Sequence, residues 1–166
     1  MLRIAAFLIL AMAAGAILRF VIFRSMPPSV LYKKYYTVYS ADAVVRSSQA
    51  DVPAIDRAIQ LYDLGRAGEA LVLLDQIVRN DPANVAGRFY KGLALMETGD
   101  PANAIGCFRE LPVNLPYPYG EPRDWYLALA LLKENRIQEA SAVLQHIDTG
   151  GGQYARMAKQ MLKKRP

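Results

Sequence analysis

Reactive side chains are scarce in this chain of 166 residues, which carries one cysteine (Cys107), one histidine (His146) and one tryptophan. A lone cysteine forms no intrachain disulfide, so the redox compartment stays open. Cys107 sits beside Phe108 on an apolar helix face and reads as a buried, inert thiol. His146 falls in the last turn of a helix, where a cation or donor suits the dipole. Neither a Cys/His nucleophile pair nor a His-rich metal site is expected, and the carboxylates are scattered as on solvated helix faces. The glycine run Gly150-Gly-Gly152 lacks the lysine that a phosphate-cradling loop needs. No enzyme activity, cofactor, metal or small-molecule substrate is therefore expected. Acids are also missing from residues 154–166, which hold Arg156, Lys159, Lys163, Lys164 and Arg165. That tail and three arginines in residues 1–24 account for the net charge of +5, leaving residues 25–153 at −3. A surface of that sign does not neutralise phosphates, so nucleic acid is not an expected partner. The basic tail suits either anionic lipid or its own helix dipole.

What the chain does have is a period. Leu61-Tyr-Asp-Leu-Gly65 returns as Leu95-Met-Glu-Thr-Gly99 and as Leu131-Leu-Lys-Glu-Asn135, at spacings of 34 and 36. Each occurrence ends in a residue that tolerates positive φ, as a helix terminus requires. Five positions on stands a small residue (Ala70, Ala104, Ala140), and four beyond that a large apolar one (Leu74, Phe108, Leu144). Those two lie one turn apart on the same face of a second helix. Pro82 and Pro116, each 17 after its turn residue, are expected to stop that helix. Ala58, Gly92 and Ala128 supply small positions on the first helices. This pattern resembles tetratricopeptide (TPR) repeats, in which paired helices stack into a solenoid. The fold class is thus all-α, with an N-terminal transmembrane helix, about three repeats and a C-terminal capping helix. The expected repeats are 51–84, 85–118 and 121–150, within a domain of 51–166.

Residues 1–24 form the expected anchor. Ile4 to Phe23 is 20 residues long, enough at ~1.5 Å per residue to cross the ~30 Å hydrocarbon core. Cleavage as a signal peptide at Ala14-Gly15-Ala16 is the alternative, but it leaves an apolar new terminus from Ile17 to Phe23. Residues 25–50 follow as a juxtamembrane segment and connector. Pro27-Pro28 breaks any helix leaving the membrane, and Ser29 is placed to cap the next. Of Tyr32, Tyr35, Tyr36 and Tyr39, the spacing puts three or four rings on one helical face, expected to pack on the first repeat or to sit at headgroup depth. The four prolines between Leu111 and Pro122 predict a non-helical excursion before the third repeat. Gln153 to Arg165 reads as the cap, with Tyr154, Met157, Ala158, Met161 and Leu162 on one face.

Nearly the whole chain resembles a bacterial family of small membrane-anchored TPR proteins. The likeness is carried by Arg3-Ile-Ala-Ala, Arg24-Ser25, Tyr35-Tyr36-Thr-Val-Tyr39, Phe89-Tyr90-Lys-Gly92-Leu93-Ala94, Trp125 to Lys133, and Tyr154 to Leu162. Several relatives in that family keep their repeats outside the cytoplasm, behind a short anti-sigma-like cytoplasmic segment. The resemblance implies an inner-membrane protein with periplasmic repeats, against the local count of Arg24, Lys33 and Lys34, which favours the cytoplasm. The sequence as printed opens two residues before Arg3, so the regulatory role of that segment is not carried over.

The expected function is a membrane-tethered scaffold that binds a protein partner. In TPR arrays the first helix of each repeat lines a groove through its positions 5, 9 and 12. Here those are Ile55, Ile59 and Tyr62, then Phe89, Leu93 and Met96, then Trp125, Leu129 and Leu132. The lysines and asparagines that clamp a carboxylate terminus are missing there. A trough of nine apolar side chains is too large to stand open on a monomer. Either residues 32–39 or an apolar partner is expected to cover it, with Phe89 and Trp125 as the large rings.

Overall fold

The computed structural model describes residues 26–40, 54–113, 115, 118–148 and 151–164. The expected transmembrane segment and residues 41–50 of the connector lie outside the described residues. Among those described, no helix is long and apolar enough to cross a membrane.

Eight helices and no strand occur among the described residues. They are α1 (Pro28–Tyr35), α2 (Ala54–Asp63), α3 (Ala67–Asn80), α4 (Val85–Thr98), α5 (Pro101–Arg109), α6 (Gly120–Lys133), α7 (Ile137–Asp148) and α8 (Gln153–Leu162). From α2 onward each helix packs on the next, while α2, α4, α6 and α8 also touch in sequence as one layer. α1 leaves this order and packs on α6.

The three hairpins share one turn. Gly65, Gly99 and Asn135 have φ of 73°, 86° and 58°, so the chain turns left-handed where the first helix ends. In each turn two amides reach back. Arg66 N–H donates to Leu61 O at 2.9 Å and Gly65 N–H to Tyr62 O at 2.9 Å. Asp100 bonds Leu95 and Gly99 bonds Met96, and Arg136 bonds Leu131 and Asn135 bonds Leu132, in the same way. Carbonyls that a helix end leaves orphaned are thereby satisfied, and the reversal is fixed. The second helices open on local side-chain pairs: Arg66 Nε to Glu69 at 2.6 Å, Arg136 Nε to Glu139 at 2.7 Å, and Asp100 accepting from Asn103 N–H at 3.2 Å.

Small side chains set the distance between helices. Ala58, Ala70, Ala104, Ala128 and Ala140 are fully buried, as are the large Leu74 and Phe108. At Gly92 of α4 an added Cβ would lie 2.6 Å from the Phe108 ring of α5. Only hydrogen fits there, because the ring is itself fully enclosed. α6 is the centre of the assembly, and Trp125 to Leu132 are buried without a break. A helix apolar on every side needs neighbours on every side, and it has α4, α5, α7, α8 and α1.

Three local expectations need correction. Pro116 does not end the second helix of repeat two. α5 stops at Arg109, because Leu111 precedes Pro112 and a pre-proline residue avoids helical backbone. Ser29 is not a cap: α1 starts at Pro28 after Pro27, with no side-chain capping bond. The four tyrosines do not share a helical face either. α1 ends at Tyr35, and Tyr36 is already extended at φ −73° and ψ 123°, so Tyr39 reaches the core from non-helical backbone.

Gly92→Ala and Ala104→Leu should each destabilise the α4–α5 pair by ~1–3 kcal/mol through overpacking. Thermal melts followed by circular dichroism check this, and an unshifted transition for either would contradict the packing described.

Candidate functional site

The inward positions of α2, α4 and α6 do come together into one surface. Ile59, Tyr62, Phe89, Leu93, Met96, Trp125, Leu129 and Leu132 are buried, and Ile55 is partly buried. What lies across α4 and α6 is the chain's own segment 28–39. Tyr35 meets Trp125 edge-on at 6.3 Å between ring centroids. Tyr39 drops into a nest of three rings, 5.1 Å from Phe89, 6.1 Å from Tyr90 and 6.0 Å from Tyr126. Edge-to-face pairs of this kind contribute ~0.5–1.5 kcal/mol each beyond their buried area. The segment thus sits mainly on the second and third repeats and meets the first at Tyr62, beside Tyr36 and Tyr39.

Polar contacts fix its register. Tyr126 Oη donates to Thr37 O at 2.7 Å, and the Tyr36 hydroxyl donates to Glu97. Tyr32 stacks on Tyr36 at 4.9 Å and lies under the Lys133 ammonium at 5.1 Å. The fit is incomplete. Among the described residues, the Tyr35 and Tyr62 hydroxyls and the Trp125 indole N–H are buried without a hydrogen-bond partner, each a penalty of ~1–3 kcal/mol. Reading only every third or fourth position missed Tyr90, Tyr126, Glu97 and Lys133. The signal was present: Phe89-Tyr90 and Trp125-Tyr126 are aromatic pairs at equivalent places in two repeats.

A second concavity, about 470 Å³, lies on α3, α4 and α5 and is lined by Leu71, Asp75, Arg88, Lys91, Cys107 and Glu110. Its charges are already matched, with Lys91 on Asp75 at 2.8 Å and Arg88 on Glu110. Burial pushes the Cys107 thiol up, away from the thiolate that a nucleophile must be. His146 is exposed on α7 and faces Asp124 at 3.4 Å. Asp124 also pairs with the buried Arg123 at 3.0 Å, and Arg123 donates to Val113 O at 3.3 Å. That network ties the proline-rich connector to the start of α6. Among the described residues no three His, Cys, Asp or Glu side chains gather as metal ligands.

Residues 55–117 match the family model of the tetratricopeptide repeat. The match runs from α2 through α5, and the third hairpin, beyond it, repeats the same left-handed turn and buried alanine. Together they support a TPR protein, and TPR repeats generally mediate protein–protein interactions and are typically non-enzymatic. No curated protein and no solved structure gives a match.

The segment on the groove should be sensitive to alkali. Burial above all, with Glu97 second, raises the Tyr32 hydroxyl to about 12. Tyr36, Tyr62, Tyr90 and Tyr126 are also pushed up, in each case chiefly by burial. In an unfolded chain they ionise near ~10, so their contribution to stability is complete below that pH and lost as pH rises through the folded values. Tyrosinate absorbance at 295 nm and circular dichroism should therefore change together above pH ~10. Ordinary titration of all ten tyrosines with the fold intact would contradict the packing.

Proposed function

We propose that the protein is a membrane-tethered interaction scaffold, anchored through residues 4–23, whose TPR groove binds an apolar, aromatic segment of a protein partner. The observation that carries this reading is the occupied groove. Its nine inward positions are apolar or aromatic, and they take up a segment that is one short helix followed by non-helical chain. A surface that accepts one such segment is chemically suited to another. The unpaired Trp125 N–H in the groove wall marks where a partner that brings an acceptor would bind better. In this reading the partner takes the place of Tyr32–Tyr39, and the apparent affinity is set by how often that segment is away.

A labelled peptide of residues 28–39, added in trans to the full chain, tests the groove. Tyr35→Ala/Tyr39→Ala should bind it roughly ten-fold or more tighter than wild type, because the internal competitor is weakened. The same peptide should release partner proteins from the tagged wild-type chain on native membranes. If it releases nothing beyond what a version with serine for every tyrosine releases, the groove is not the partner site.

The anchor is placed in the inner membrane, with the repeats on the periplasmic side. Family likeness supports this against the local charge count. A reporter active only in the periplasm, fused after Pro166, should be active; a well-expressed but silent fusion would overturn the orientation.

A further inference from the structure

Two basic stretches, more than a hundred residues apart in the sequence, meet in the structure. Met26 N–H donates to Lys164 O at 3.2 Å, so the residue entering α1 is pinned to the residues leaving α8. The Lys34 side chain lies within hydrogen-bonding reach of the Lys164 side chain, and that contact, reinforced by the like charge, disfavours its ammonium. Lys33 and Lys163 are the immediate sequence neighbours, and Lys33, Lys34 and Lys163 are exposed. No Asp or Glu occurs in residues 26–40 or 153–164. Two acids packed near these elements are engaged elsewhere: Glu97 takes the Tyr36 hydroxyl and Glu121 lies against Gly152, at the opposite end of α8.

A helix dipole accounts for a cation in the last turn of α1 or of α8 taken singly. It does not account for bringing the two sets together, where they repel. Something anionic outside the chain would relieve that repulsion, and chain reach says where it lies. Phe23 closes the apolar stretch and Met26 begins the described structure, three residues later. At ~3.5 Å per residue Met26, and with it the Lys164 backbone, stands no more than about 10 Å from that stretch, about a Debye length, and Lys33 and Lys34 follow within roughly another 10 Å along α1.

We propose that Lys33, Lys34, Lys163 and Lys164 form one cationic surface that docks on the phosphates of anionic phospholipid headgroups where the apolar segment 4–23 leaves the repeats. The proposal rests on the anchor reading above. Docking fixes the array against the bilayer through both ends of the described chain. Either face of an anionic bilayer offers these phosphates, so the proposal holds for either orientation.

The test uses the full chain with vesicles of phosphatidylcholine alone or with 30% phosphatidylglycerol, each doped with a photoactivatable probe of either lipid. The chain should float with both kinds of vesicle. The phosphatidylglycerol probe should label residues 26–40 and 153–164 roughly ten-fold or more over the phosphatidylcholine probe. Lys34→Gln/Lys163→Gln/Lys164→Gln, with its fold checked by circular dichroism, should lose that preference and still float. Flotation with equal labelling by the two probes overturns the cationic surface, keeps the anchor, and leaves the lysines to an acidic protein. Flotation only on phosphatidylglycerol vesicles, reversed by salt, supports the surface and removes the anchor. Flotation on neither overturns both.

Discussion

Each hairpin of this array depends on one residue that can enter left-handed backbone at the end of its first helix. Gly65, Gly99 and Asn135 do so, and the paired amide bonds behind them set where the second helix starts. Once the start is set, the small residue five positions on is bound to meet the first helix, and the large one after it must fill the gap between them. Asn135 is the informative case. It pays the steric penalty of a side chain at φ 58° and still makes the same turn, so the reversal rather than glycine itself is what the repeat requires.

The second constraint is burial on both sides of the first-helix layer. In a repeat array the second helices cover only one side of α4 and α6. The apolar positions on the other side would otherwise face water. Residues 28–39 cover them with a seam of rings, and they do it with two different backbones. Leu31 and Tyr35 are delivered by helix and Tyr39 by non-helical chain. The change at Tyr36 keeps rings four residues apart pointing at the same surface while the backbone crosses from α6 toward α4.

Most of the repeat core was legible because its cause is local. The turn residue, the small residue and the large residue are tied by helical geometry within ten positions, so spacing placed Ala70, Ala104 and Ala140 inside, while the resemblance to TPR arrays placed Tyr62, Phe89, Leu93 and Leu129 there. The cover was only half legible. Four tyrosines in eight residues announced a buried surface, but nothing local says that a segment before the first repeat lies mainly on the next two. The end of α5 at Arg109 was legible in Pro112 and was instead assigned by analogy to Pro116, where the repeat period outweighed the nearer proline. The Arg123–Asp124–His146 network is set by the course of the connector, which no spacing rule describes.

One backbone bond reshapes how stability is shared along the chain. An open solenoid resembles a zipper, each unit answering to its two neighbours and its ends free to fray. Here Met26 is bonded to Lys164 and Thr37 to Tyr126, contacts of very high sequence separation laid over a ladder of short ones. Such closures are slow to form, but once made they give the terminal helix α8 a second attachment. The ladder is closed on itself at that end, and fraying α8 means breaking the bond to Met26 as well as its contacts with α7.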